Sequence, residues 1–397
     1  MHTMQPAHIF PSKRSAVALM ALLSALFVIP ANGQSDSDDG DSGTKAASGQ
    51  VLVIGGNIYG GGSEGDTKGN TTVTVRGCRV EGNVFGGARM ADVGGHAFVN
   101  IDGEHTTGQI EIKAVYGGND IAGTVGTKID PEDTRTSLVP EELTQVVGVG
   151  TNSTYTKAEK PELNVIDNSW NAFVRSTSTP TEDATHRVVV GSVFGGGNGD
   201  YDYVSTADFP EAGQTTHYVY PAGSDHATAT PLATKVTMTG EAGFVAPALA
   251  KTYLELLGGC LAHIYGGGNS ATVTDATTIC LNNPGASMQE VLPSQGAEET
   301  DAAYQERLLA DFFDLARFVD LSTFQGNYSS LDYNAARVFG GNNKVPMAIR
   351  PVWNLQRGKI RDLYSGGNEG NMTYPHGLLL DISPQTAYND SLIIYNV

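Results

Sequence analysis

Apolar positions along this chain fall in short alternating runs rather than at the three-and-four spacing of helices. Thr71-Thr72-Val73-Thr74-Val75 is the clearest case, with Thr252-Tyr253-Leu254-Glu255-Leu256 and Val352-Trp353-Asn354-Leu355 as looser ones. Alternating β-branched residues place one face inward and one outward, so these runs predict strands. A second pattern, an aliphatic residue, an aromatic and then glycines, recurs seven times. The first three copies are Ile58-Tyr59-Gly60-Gly61-Gly62, Val84-Phe85-Gly86-Gly87 and Val115-Tyr116-Gly117-Gly118-Asn119. Val193-Phe194-Gly195-Gly196-Gly197-Asn198 and Ile264-Tyr265-Gly266-Gly267-Gly268-Asn269 follow. Val338-Phe339-Gly340-Gly341-Asn342 and Leu363-Tyr364-Ser365-Gly366-Gly367-Asn368 complete the set. Upstream of the aromatics, Gly259 aligns with Gly358. The repeating unit reads as strand, glycine corner, second strand and Gly-Gly-Asn turn.

A unit this short cannot bury its apolar face alone, and stacking on the next unit both buries it and pairs the strand backbones. Gly and Asn tolerate positive φ and are expected to turn the chain between strands. The predicted fold is therefore all-β: a single-stranded parallel β-helix (β-solenoid) over residues 50–397, with inserted loops and one short inserted α-helical segment. Successive aromatics lie 26, 31, 78, 71, 74 and 25 residues apart. The short steps fit single coils, and the long ones are read as a mixture of decayed coils and inserted loops. Inserts are expected at about 127–186, 199–235 and 284–333. The first reads as irregular. The second carries Tyr201, Tyr203, Tyr218 and Tyr220, which are expected to be exposed. The third holds the predicted helix, with Tyr304, Leu308, Phe312, Leu315 and Val319 on one stripe and Thr300 or Asp301 as its cap.

The N-terminus changes the picture from fold to address. Lys13-Arg14 precedes an apolar run from Ala16 to Ile29, and Ala31-x-Gly33 supplies small residues before a cleavage point at Gln34. Residues 1–33 are thus predicted to be a secretory signal peptide. The apolar run is shorter than the ~20 residues of a membrane span. Residues 34–49 are Ser, Asp and Gly with almost no apolar content, the composition of a disordered acidic linker. The chain is expected outside the cell, secreted or on the outer cell surface by way of the periplasm, with no membrane span in its mature form.

Glycine makes up 49 of the 397 residues, above the ~7% usual share, and falls in blocks without a Gly-X-Y period, which excludes collagen. The formal net charge of -19 disfavours nucleic acid and anionic lipid as partners. Three cysteines, Cys78, Cys260 and Cys280, cannot form a paired framework. Cys260 and Cys280 could pair across neighbouring coils, but apolar strand surroundings favour buried free thiols for Cys78 and Cys260.

The glycine-aromatic blocks resemble those of large secreted surface proteins of Gram-negative gut and oral bacteria. That resemblance spans about residues 50 to 370 and implies a β-helix with an adhesin-like role, displaying loops to host or bacterial glycans or surface proteins. Candidate chemistry is sparse. Parallel β-helices also carry polysaccharide lyases and glycoside hydrolases, which need convergent carboxylates or a metal. Asp200, Asp202 and Asp208 could approach one another on the second insert but match no catalytic template. Gly196-Gly197-Asn198-Gly199-Asp200 lacks the tandem repetition of calcium-binding nonapeptides. No Lys-Ser or Lys-Thr trails a glycine block, and the histidines form no HExxH. No catalytic, cofactor-binding or metal-ligating residue and no cofactor is assigned. Tyr201, Tyr203, Tyr218 and Tyr220 are the expected ligand surface, since aromatic faces bind sugars and proteins alike.

Overall fold

A computed structural model of the chain describes residues 52–106, 108–126, 171–178, 188–209, 213–288, 296–300, 302–304, 306, 332–375 and 392–396. All of them belong to the unit from Gln50 to Val397. The expected signal peptide and linker, most of the 127–186 segment and most of the predicted helix lie outside these residues. Of that helix, Ala302–Tyr304 is helical, and Thr300 Oγ1 accepts the Ala303 N–H at 3.3 Å, as a capping residue does.

The described chain is mostly β. Its strands begin with β1 (Leu52–Ile54), β2 (Ile58–Tyr59), β3 (Thr71–Val75), β4 (Cys78–Phe85), β5 (Ala97–Asp102) and β6 (Ile110–Tyr116). They continue with β7 (Ala172–Thr177), β8 (Val188–Phe194), β9 (Tyr201–Phe209), β10 (Gln214–Pro221), β11 (Ala233–Met238) and β12 (Ala248–Leu256). The last are β13 (Cys260–Tyr265), β14 (Thr272–Asn282), β15 (Ala335–Phe339), β16 (Val352–Tyr364) and β17 (Leu392–Asn396).

Fourteen of these strands form one sheet in which every pairing is parallel. It consists of two ladders joined through the long strand β16. One ladder runs β1, β4, β6, β8, β13, β15 and the second half of β16; the other runs β3, β5, β7, β12, β14 and the first half of β16. Both ladders advance in chain order, and their inward residues meet in one apolar core. Val80, Val84, Ile112, Val115, Val190 and Ile264 enter it from the first ladder, and Val75, Val99, Val174, Leu254 and Ile279 from the second. Each such side chain contributes roughly 1.5–3 kcal/mol by leaving water.

Phe85, Tyr116, Phe194, Tyr265 and Phe339 share a separate cluster with Tyr59 on the other side of the first ladder. The seven block aromatics form an unbroken column. Neighbouring ring centroids are 5.0, 4.8, 4.6, 4.6, 4.9 and 4.7 Å apart from Tyr59 to Tyr364. No interplanar angle exceeds 10°. The seven blocks are thus immediate neighbours. β6 pairs directly with β8 and β8 with β13, so the long steps are inserted segments and not decayed coils between blocks. One segment read as irregular supplies a strand of its own. β7 lies within 127–186 and pairs with β5 and β12, because Phe173 and Val174 suit opposite faces of a strand.

The glycines serve two distinct ends. Corner residues Gly77, Gly259 and Gly358 have φ of 56°, 90° and 141°, the conformation expected of a sharp turn. The first glycine of each block has no positive φ; it is needed for close approach. A Cβ on Gly195 would stand 2.3 Å from the Gly266 carbonyl oxygen, and one on Gly266 would stand 2.4 Å from that of Gly340. All three cysteines are buried free thiols.

Candidate functional site

Residues at the turn after each aromatic build a polar column beside the rings. Asn198 Nδ2 donates to Asp120 Oδ1 at 2.9 Å, and Asn269 Nδ2 to Asn198 Oδ1 at 2.9 Å. Asn343 Nδ2 donates to Asn269 Oδ1 at 2.8 Å, and Asn368 Nδ2 to Asn343 Oδ1 at 2.9 Å. Four amides therefore point their N–H groups the same way, toward one carboxylate. Aligned donors polarise one another, and a negative charge at the accepting end favours that direction. The register of this column departs from the Gly-Gly-Asn motif. Asn119 and Asn342 are the asparagines of their blocks, yet Asp120 and Asn343 occupy the column. Asn119 Oδ1 instead accepts the Ala88 N–H at 2.7 Å, and Asn342 Oδ1 that of Gly268 at 2.9 Å.

Asp120 is 2% exposed and receives two phenols besides Asn198. The Tyr59 hydroxyl donates to Oδ2 at 2.7 Å, and the Tyr201 hydroxyl to Oδ1 at 2.7 Å. Burial first, and then the Asp120 charge, push the Tyr59 phenol up to about 12. The same two causes raise Tyr201 well above the ordinary phenol range.

A groove of about 390 Å³ follows this column along the outer side of the first ladder. Asn198, Asn269 and Asn343 line one wall, with Asp200 and Lys344 beside them; Lys113, Ala114 and Ser192 line the other, over the edges of Tyr116 and Phe194. Lys344 Nζ meets Asp200 Oδ2 at 2.6 Å, and Ser270 Oγ donates to Asp200 Oδ1 at 3.1 Å. A second depression of about 630 Å³ separates the ladder edge at Met90, Ala91 and Ala122 from Ala233, Phe244 and Val245.

Residues 201–238 supply a three-stranded antiparallel sheet in the order β11, β10, β9. Its tyrosines are not the exposed surface expected of them. Tyr201 holds Asp120, the Tyr203 hydroxyl donates to the Ile121 carbonyl, and Val219 packs with both rings on Ile121 and Ala122. Tyr220 is buried and stacks on His226 at 4.7 Å; Tyr218 is half-buried. Aromatic rings next to an apolar ladder edge bury themselves there, which is why they dock the sheet. The aspartates of this segment do not converge: Asp200 faces Lys344, whereas Asp202 faces His226 Nε2 at 3.0 Å. The Asp208 side chain lies outside the described residues. His217 bridges Ser205 Oγ and Thr237 Oγ1.

Among the described residues no group of three His, Cys, Asp or Glu side chains is placed to hold a metal ion. No helix among them is long and apolar enough to cross a membrane. Sequence reading missed the amide column, whose only trace was an Asn or Asp ending each later block. It also missed a second row of rings, Phe98, Phe173 and Tyr253, with centroids 5.1 and 5.0 Å apart, the first pair tilted by 46° and the second stacked, which no repeated glycine marks. Set against family models, curated proteins and solved structures, the chain gives no match.

Proposed function

We propose that this chain is an exported, adhesin-like surface protein whose two ladders are turns of a single-stranded parallel β-helix, and that it presents glycan- or protein-binding surfaces outside the cell. The observation that carries the reading is the seven-ring column: it continues without a gap across three steps of more than 70 residues between successive aromatics. A scaffold whose repeats hold register while long segments leave it suits display, because the inserts can vary without disturbing the core. The apolar run at Ala16 to Ile29 supports export, and the charge of -19 supports solubility of an extended surface.

The test is expression of the full chain in a Gram-negative host, followed by fractionation and protease shaving of intact cells. Processed protein cleaved from the cell exterior or recovered in the medium is expected. Retention in the cytoplasm with residues 1–33 intact overturns export. The purified chain is then applied to immobilised glycans and surface proteins, with reducing-sugar release followed in parallel. Binding without product supports the adhesive reading, and product release replaces it with a polysaccharide-degrading one.

A further inference from the structure

The amide column leaves chemistry unused. A carboxamide carries two N–H donors and an oxygen with two lone pairs. In the column, Asn269 spends one N–H on Asn198 and one lone pair on Asn343, and Asn343 spends the same on Asn269 and Asn368. Among the described residues no further partner engages either amide. Each therefore retains one donor and one acceptor, and both residues line the groove. Paired donor and acceptor groups, repeated once per strand, match a ligand that itself repeats hydroxyl groups along its length.

The groove has the dimensions for such a chain. Its lining residues come from five consecutive turns: Asn83, then Lys113 and Ala114, then Ser192 and Asn198, then Asn269, then Asn343. At the ~4.8 Å strand spacing this amounts to roughly 19 Å. Ala114 and Ser192, which pair with each other in the ladder, keep the opposite wall low on the turns of Asp120 and Asn198, and the same row continues as His263 and Arg337 on the turns of Asn269 and Asn343. Among the charged lining residues Lys344 is paired with Asp200 and Lys113 is the third; the selection against a polyanion comes from the chain as a whole, which carries -19.

We infer that this groove binds an extended, neutral, hydroxyl-rich polysaccharide lying along the ladder, held by the amides of Asn269 and Asn343; Asn198, whose two N–H groups are taken by Asp120 and Tyr201, keeps only an acceptor lone pair. This deepens the proposed function, on which it rests for the ligand being met outside the cell. It relocates the binding surface from the insert tyrosines to the scaffold. The bonds are amide to hydroxyl, and the aromatic column contributes an apolar floor by its edges, because its ring faces are occupied by one another.

The test uses the full chain and isothermal titration with β-1,4-linked glucose and mannose oligomers of two to six units, alongside polygalacturonate. Affinity for a neutral series is expected to rise at least tenfold from disaccharide to hexasaccharide, and to exceed that for polygalacturonate. Ser192→Tyr fills the groove from the low wall without touching the amides and is expected to cut hexasaccharide affinity at least tenfold with an unchanged circular dichroism spectrum. Asn269→Leu removes one donor–acceptor pair and serves as the second variant, with Ser192→Ala as a control that leaves binding intact. Failure to bind either neutral series, preference for polygalacturonate, or full binding by Ser192→Tyr each overturns the inference. If glycans bind while Ser192→Tyr is silent, the adhesive reading stands and only this site falls.

Discussion

Gly195→Ala isolates the close approach that the block glycines allow. The new Cβ would lie 2.3 Å from the Gly266 carbonyl oxygen and 2.8 Å from Thr252 Cβ. Both neighbours are fixed, since that carbonyl also accepts the Thr252 hydroxyl at 2.6 Å. Relief requires the two turns to part. Parting weakens the bonds from Gly195 N to Tyr265 O and from Gly196 N to Gly267 O, both 3.0 Å, and opens the 4.6 Å contact between Phe194 and Tyr265. Overpacking costs about 1–3 kcal/mol, each weakened hydrogen bond about 1, and a lost ring pair about 0.5–1.5. These effects overlap, which places the destabilisation at about 3–5 kcal/mol, a large part of the ~5–15 kcal/mol that holds a domain folded. Gly65→Ala is the control: a Cβ there meets nothing within 4 Å and no positive φ is involved. It is expected to change stability by less than about 0.5 kcal/mol. Urea unfolding followed by circular dichroism measures both variants against the parent chain. Equal midpoints for Gly195→Ala and Gly65→Ala would show that neighbouring blocks do not need glycine for their close approach, and the stacking argument would fail.

Asp120→Ala strips the acceptor from Tyr59, Tyr201 and Asn198 together and is expected to cost about 2–4 kcal/mol, with hydrogen exchange faster in β9 to β11 than in the apolar core; uniform exchange would refute its docking role. Alkaline unfolding is the other expectation. Tyr59 and Tyr265 are pushed up to about 12, chiefly by burial, so both keep their protons when an unfolded phenol near 10 has lost its own. The stabilisation linked to them is fully present below about pH 10 and is lost as pH climbs from there through about 12. A urea midpoint unchanged between pH 9 and 11.5 would contradict that burial.

What could be read from the sequence depended on whether a residue's partner sits at the same place in another block. Tyr59, Phe85 and Tyr116 announce their stack because each precedes glycines at equal offset, and one motif reports both members of every contact. The corners at Gly259 and Gly358 were legible for the same reason. Asp120 was not. The Gly-Gly-Asn pattern points to Asn119, and only the backbone path places Asp120 opposite Asn198. The burial of Tyr201 was hidden because its partner lies 81 positions away with no shared motif. β7 was hidden because its six residues carry no flanking glycine block. Repetition broadcasts contacts between equivalent residues, whereas docking of an insert on the scaffold joins residues that occur once.

The glycine close approaches, the ring column and the amide column together explain how this chain accommodates long inserts. A parallel ladder with uniformly apolar inward positions can slip by two residues and still bury the same face, so apolar burial alone specifies register weakly. Here a two-residue slip of β8 against β13 would set Val193 beside the Gly266 carbonyl, where even a lone methyl group is too large. The same slip would unstack Phe194 from Tyr265 and break the bond between Asn269 and Asn198. Steric exclusion, ring stacking and a directional hydrogen bond thus choose the same register independently, within one block of about six residues. Each new turn can therefore find its place whatever length of chain separates it from the last. Closing a 78-residue step rather than a 26-residue one costs only about 1 kcal/mol more. One stacked ring pair and one amide bond, at about 0.5–1.5 kcal/mol each, offset that difference. Local specification of register is the physical condition for a scaffold that carries segments of arbitrary length, and the block meets it with glycines, rings and amides that lie outside the apolar core its aliphatic residue enters.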